Sequence, residues 1–180
     1  MVSESLYGRV CNIGRDSELL EIERLVMARR LVTLTGAGGS GKTRLAVQLG
    51  SRMADRWPDG FWLVDLGSVT DPDLIARTTA TALRVLLEPG GDRVRTLAAR
   101  LSRRRMLVCL DTCEHLLDAA AALTDTVLRA CPEVTVLATC GSALQTISSG
   151  SSGVPVHTTR LPSSRTVVTN ARLTLVLDAK

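Results

Sequence analysis

The run GAGGSGKT, residues 36–43, lies between the apolar LVTLT and the amphipathic RLAVQLGSRMA. It satisfies G-x-x-x-x-G-K-[ST] in a strand–loop–helix setting, and no other feature constrains the chain as strongly. With glycine at about 7% of residues, a chance match in a chain of this length is well under about one in a hundred. Glycines let successive backbone N–H groups turn inward around an anion, with no Cβ in the way. The helix that follows aims its positive end at the same point. The pattern predicts a phosphate cradle of Gly36, Ala37, Gly38, Gly39, Ser40, Gly41, Lys42 and Thr43, with Arg44 adjoining it. Lys42 would reach the β- and γ-phosphates, and the Thr43 hydroxyl would face a magnesium ion.

Around this loop, apolar runs and helical periods alternate. RLVTLT, FWLVDL, MLVCLD and EVTVLATC read as strands. SELLEIERLVMARR, TRLAVQLGSRMADR, DPDLIARTTATALRVLL, RVRTLAARLSRR and CEHLLDAAAALTDTVLRAC read as helices. Asp16 or Ser17 is placed to cap the first, and Asp71 with Pro72 to start the third. Strand–helix alternation from 31 to 139 predicts an α/β fold, a three-layer sandwich around a mainly parallel sheet with right-handed crossovers. The almost wholly apolar MLVCLD suits a strand covered on both faces. Residues 1–12 read as an irregular arm, 13–140 as the nucleotide-binding unit, and 141–180 as a Ser/Gly-rich linker and divergent tail. RTVVTNARLTLVLDAK is a weak β-hairpin turning at 169–171.

A phosphate loop handles magnesium together with an acid at the end of another strand. Asp111 closes MLVCLD at the carboxyl edge of the sheet, where parallel α/β folds bind ligands. It is the predicted second metal residue beside Thr43, although it could also cap the helix after it. Glu114, three residues on, is the nearest carboxylate to orient water, and it too could be a helix-end acid. Lys42, Asp111 and Glu114 form the candidate catalytic set.

Composition narrows the alternatives. The formal charge is +4 and aromatics are 2% of the 180 residues, so stacking platforms for single-stranded nucleic acid are scarce. Arg103–Arg105 read as a solvated helix end. The five cysteines include no CxxC pair and read as reduced, packed thiols of a cytoplasmic protein. No secretory signal and no apolar run of membrane-spanning length is found.

The segments NIGRDSELLEIERL, RLVTLTGAGGSGKTRLAVQLG, DGFWLVDLGSVTDPDLIA and LVCLDTCEHLLDAAAALTDTVLRACPEVTVLAT together resemble the nucleotide-binding domain of STAND-type P-loop ATPases (NB-ARC/AAA-like). The resemblance is to the branch in actinobacterial AfsR/SARP and LuxR-associated transcriptional regulators, and it runs over about residues 12–139. It implies an ATP/ADP-binding, Mg²⁺-dependent switch with slow hydrolysis at most. It also implies that Gly14 and Arg15 help to hold the adenine end, that Gly36–Thr43 is the Walker A loop and that Asp111 is the Walker B acid. Two departures stand out: Thr112 occupies the place of an Asn or Asp, and Thr139-Cys140-Gly141-Ser142 replaces a Thr-Ser-Arg-Glu motif whose arginine senses the γ-phosphate.

Partners on this reading are nucleotide and a second copy or a regulator partner, with no direct nucleic-acid or membrane contact. The resemblance ends near residue 140, as in a family sequence truncated and replaced there. A small-molecule kinase on the same loop, with 88–105 as its lid, and a non-functional fragment of a regulator are the alternatives.

Overall fold

Alternate side chains of the central strands enter two different apolar clusters, and this sets the layers. The computed structural model describes residues 15–36, 38–87 and 90–141, together with the backbone of three later strands. In strand β3 (Met106–Asp111), Met106, Val108 and Leu110 join one apolar cluster while Leu107 and Cys109 join another. Alternate side chains leave opposite faces of a strand, so β3 is buried on both sides, as its unbroken apolar run implies.

One cluster gathers helix α1 (Asp16–Ala28) and helix α2 (Lys42–Arg52) over Val32, Leu34, Leu107, Cys109 and Leu137. The other gathers helices α3 (Ile75–Ala82), α4 (Arg93–Leu101) and α5 (Leu117–Ala130) over Val64, Leu66, Val108, Val134 and Val136. The result is the expected three-layer α/β sandwich. Its parallel core is β2 (Phe61–Asp65), β3, β4 (Val134–Cys140) and β1 (Leu31–Thr35), in that order across the sheet.

The nucleotide-binding unit expected from the sequence ends at 140, and strands of the tail pair onto the same sheet. β7 (Thr174–Asp178) lies parallel to β1, with Thr35 opposite Leu177. β6 (Arg165–Thr169) and β5 (His157–Leu161) continue outward, antiparallel. β6 and β7 form the expected hairpin, with Thr169 opposite Thr174. Its connection and the predicted linker beyond Gly141 lie outside the described residues, as does the N-terminal arm.

Three helix boundaries differ from expectation. Helix α1 begins at Asp16, so neither Asp16 nor Ser17 is the cap. Arg15 holds that position without a side-chain cap bond, and Asp16 and Glu18 instead sit in the first turn near the positive helix end. The helix predicted to run through Leu87 stops at Ala82. There Arg84 takes φ 54, its N–H donates to Thr81 O and the Val85 N–H to Ala80 O. This is the Schellman pairing, built on an arginine where glycine is the usual signal. Helix α5 starts at Leu117, four residues past Cys113, because 112–116 form a loop at the mouth of the sheet. The α3 entry is as expected: Asp71 Oδ1 accepts the Asp73 N–H, with Pro72 in the first turn.

One glycine contact ties α2 to the sheet. Gly50 is buried, and a Cβ built there would lie 2.3 Å from Cγ of Phe61. The helix therefore sits closer to β2 than any side chain would allow.

Candidate functional site

The loop after β1 delivers the predicted cradle to the carboxyl edge of the sheet. Gly41 has φ 84 and precedes α2, whose first turn holds Lys42 and Thr43. The left-handed conformation turns the chain sharply from loop to helix, and a side chain there would be strained. The Lys42 ammonium folds back over the loop and donates to Gly36 O at 2.7 Å. Arg44 is exposed.

Asp111, the last residue of β3, is buried at 6% exposure. Thr43 Oγ1 lies 2.9 Å from each of its carboxylate oxygens. The Thr139 hydroxyl donates to Asp111 Oδ1 and accepts the Thr112 N–H at 3.1 Å. A relay thus runs from Thr112 through Thr139 to the carboxylate. A buried carboxylate needs such donors, because leaving it unpaired is costly. Asp111 makes no side-chain cap to α5, which begins six residues further on with Leu116 at its cap position.

The loop between β3 and α5 is fastened at several points. The Cys113 N–H donates to Thr139 O at 3.2 Å, and His115 Nε2 donates to Val69 O at 2.7 Å. Thr112 has φ 58, a left-handed conformation that β-branched residues rarely adopt. Glu114 Oε2 accepts the Gly141 N–H at 3.1 Å, so its carboxylate holds the end of β4. The Sγ atoms of Cys113 and Cys140 lie 3.0 Å apart. Their shared hydrogen bond raises the Cys113 pKa and lowers that of Cys140. Burial, with the Asp111 charge, holds the Cys109 thiol well above its ordinary range.

Arg15 sits against the phosphate loop. Its Nη1 donates to Ser40 O at 2.5 Å and its Nε pairs with Glu18 Oε2 at 2.6 Å. A Cβ at Gly41 would come within 3.2 Å of the same Nη1. Gly14 and Ala37 lie outside the described residues. Of the remaining candidates, Lys42, Thr43 and Asp111 converge on one edge, with Arg15 behind the loop and Glu114 at the β4 end.

Two participants escaped the sequence reading. Thr139 donates to Asp111 from the neighbouring strand. Asp65 ends β2 opposite Asp111 in register, and its Oδ1 accepts the Gly67 N–H at 2.9 Å. Asp65 had a visible signal: FWLVD repeats the apolar-run-then-acid pattern of MLVCLD. Thr139 had none, because its partner depends on strand order.

The sheet order and the strand–loop–helix at its centre define a P-loop NTPase fold. Among solved structures it is similar to Cdc6p from Pyrobaculum aerophilum, with a TM-score of 0.60, 18% identity, 77% of this chain covered and 41% of the other. It is also similar to the Aeropyrum pernix ORC2 protein, solved in ADPNP–ADP complexes, with a TM-score of 0.58, 17% identity, 78% of this chain and 44% of the other. In sequence it is 44% identical over 132 residues to an uncharacterized protein of Mycobacterium tuberculosis, a match spanning 73% of this chain and 34% of that protein. It is 49% identical over 115 residues to a Mycobacterium tuberculosis protein named "Putative HTH-type transcriptional regulator", spanning 64% of this chain and 13% of that protein. The chain thus spans about a third or less of the length of these curated relatives. No family model matches it. No helix among the described residues is long and apolar enough to cross a membrane.

Proposed function

We propose that residues 13–140 form an ATP/ADP-binding switch unit of the STAND type, belonging to a cytoplasmic transcriptional or signalling regulator and hydrolysing ATP slowly at most. The observation that carries this reading is the pairing of Thr43 with Asp111 beside a loop closed by Lys42. The donor set fits a polyphosphate and a magnesium ion. A Cβ built at Gly38 or Gly39 meets nothing within 4 Å, so the loop backbone borders open space. The Lys42 ammonium rests on a carbonyl that a phosphate oxygen would outbid as an acceptor. Thr43 and Asp111 supply hard oxygen ligands, directly or through water, of the kind magnesium takes. Bound magnesium would neutralise phosphate charge.

The chain's own residues then divide the work. Gly36–Gly41 amides and Lys42 bind the phosphates. Thr139 and Thr112 orient Asp111. Arg15 braces the loop through Ser40. Glu114 accepts the Gly141 amide through Oε2, which fixes its carboxylate at the end of β4 and leaves it acceptor capacity to orient a water. Slow turnover follows from Thr139-Cys140-Gly141-Ser142 standing where the family resemblance implies a motif with a γ-phosphate-sensing arginine.

The kinase alternative loses its lid, since Leu97, Ala98 and Leu101 of α4 are buried in the layer over α5. The similarity to a protein named as a transcriptional regulator supports a regulatory setting, with a second copy or a regulator subunit as partner. The purified full chain titrated with fluorescent ATP and ADP, with and without Mg²⁺, tests the reading. Saturable binding of both adenylates, with ATP binding strengthened by Mg²⁺, is expected. Folded protein that binds neither would overturn it.

A further inference from the structure

Beside the nucleotide site, two strand ends carry thiols that no step above uses. Cys113 lies in the loop after β3 and Cys140 ends β4, with exposures of 3% and 2%. Their Sγ atoms are 3.0 Å apart, so closing to a disulfide bond needs an approach of only about 1 Å. The backbone on either side is already joined. The Cys113 N–H donates to Thr139 O, the Thr112 N–H to Thr139 Oγ1, and the Gly141 N–H to Glu114. The two chain segments are therefore held in register around the thiol pair.

The other described cysteines differ. Cys109 is enclosed in the cluster on the α1–α2 face, and Cys131 Sγ donates to Ala98 O at 3.2 Å. Neither has a thiol neighbour among the described residues. Cys113 and Cys140 are buried at the carboxyl-edge end of the other apolar cluster, so a reagent reaches them when the loop after β3 and the end of β4 open.

We propose that Cys113 and Cys140 are a redox-modification site, forming a reversible disulfide that clamps the loop after β3 to the end of β4. A small-molecule disulfide of the glutathione class is the oxidant. One cysteine thiolate attacks it, forms a mixed disulfide and releases one small thiol. The second cysteine displaces the other small thiol as the protein S–S bond forms. The two protein sulfurs are oxidised, the reagent disulfide is reduced to two thiols, and the protein loses about 2 Da.

The clamp spans the residues that present Asp111, because Thr112 and Thr139 adjoin the two cysteines. Its effect on nucleotide rests on the function proposed above. Oxidation would change the Mg²⁺-ATP dissociation constant by about five-fold or more, within the usual range of coupling between sites.

The full chain, incubated with oxidised glutathione, alkylated and digested, is expected to yield a Cys113–Cys140 linked peptide that reductant removes. Cys113→Ser and Cys140→Ser, checked for folding by circular dichroism, should each lose the link. A titration of reduced and oxidised wild type with Mg²⁺-ATP then reads the coupling. Both cysteines alkylated after oxidation, or a link to another cysteine, overturns the site. A correct link with equal affinity in the two forms overturns the coupling. Failure of the reduced protein to bind ATP counts against the nucleotide reading and leaves the linked peptide to decide the disulfide.

Discussion

Thr43 Oγ1 stands equidistant from both carboxylate oxygens of Asp111, at 2.9 Å from each. The hydroxyl comes from the helix after the phosphate loop and the carboxylate from a strand 68 positions later. Their meeting joins the loop to the acidic edge. Asp111→Asn keeps the shape, removes the charge and turns one acceptor into a donor. The strengthening of ATP binding by Mg²⁺ should fall on the order of tenfold, while Mg²⁺-free ADP binding changes little. Titrations with and without the ion check this. An undiminished Mg²⁺ effect would remove Asp111 from the metal site.

Lys42 supplies the only positive charge that the loop motif itself carries. Lys42→Ala should weaken ATP binding by about a hundredfold or more, the scale for losing one partner of a desolvated charge pair. Fold stability should hold, because Lys42 is only half-buried. Fluorescent-nucleotide titration beside a thermal melt separates the two effects. Wild-type affinity in a folded variant would refute the phosphate assignment.

Arg15 donates to Ser40 O, whereas the family resemblance implies a contact with the adenine end. The two roles separate with inorganic tripolyphosphate, which has no base. If Arg15 braces the loop, Arg15→Ala lowers tripolyphosphate affinity by a few-fold, about as much as ATP affinity. If it serves adenine alone, only ATP binding drops.

Thr112 stands at φ 58, where Asn and Asp are enriched and a β-branched residue is strained. Strain of this kind costs about 1–3 kcal/mol. Thr112→Asn should raise unfolding stability by about 1 kcal/mol. Urea denaturation followed by circular dichroism measures it, and a lower midpoint would show that the backbone there is relaxed.

Gly50→Ala should be destabilising by about 1–3 kcal/mol, because the added methyl collides with the Phe61 ring and pushes α2 off β2. Phe61→Leu in the same background should recover part of the loss. If Gly50→Ala raises the denaturation midpoint instead, the close approach of helix and strand is wrong.

Much of this architecture is legible in the chain. GAGGSGKT fixes a strand, a loop and a helix at once, and the apolar runs ending in Asp65 and Asp111 mark strand ends on one edge. The helix boundaries were harder. Arg84 ends α3 without glycine, and CEHLL has a helical period that tertiary bonds from Thr139 and Val69 override to make a loop. The Thr139–Asp111 bond and the Cys113–Cys140 pair depend on β4 lying beside β3, which no local spacing encodes. The role of Arg15 was equally hidden, since Ser40 is 25 positions away.

The pairing of β7 with β1 has a practical consequence. A version of the protein cut after residue 141 would leave the strand that feeds the phosphate loop without its outer neighbour, displaying a ladder of bare amides and carbonyls to other molecules. Shortened preparations of this chain should therefore stick to one another, however well the loop at residues 36–43 is formed.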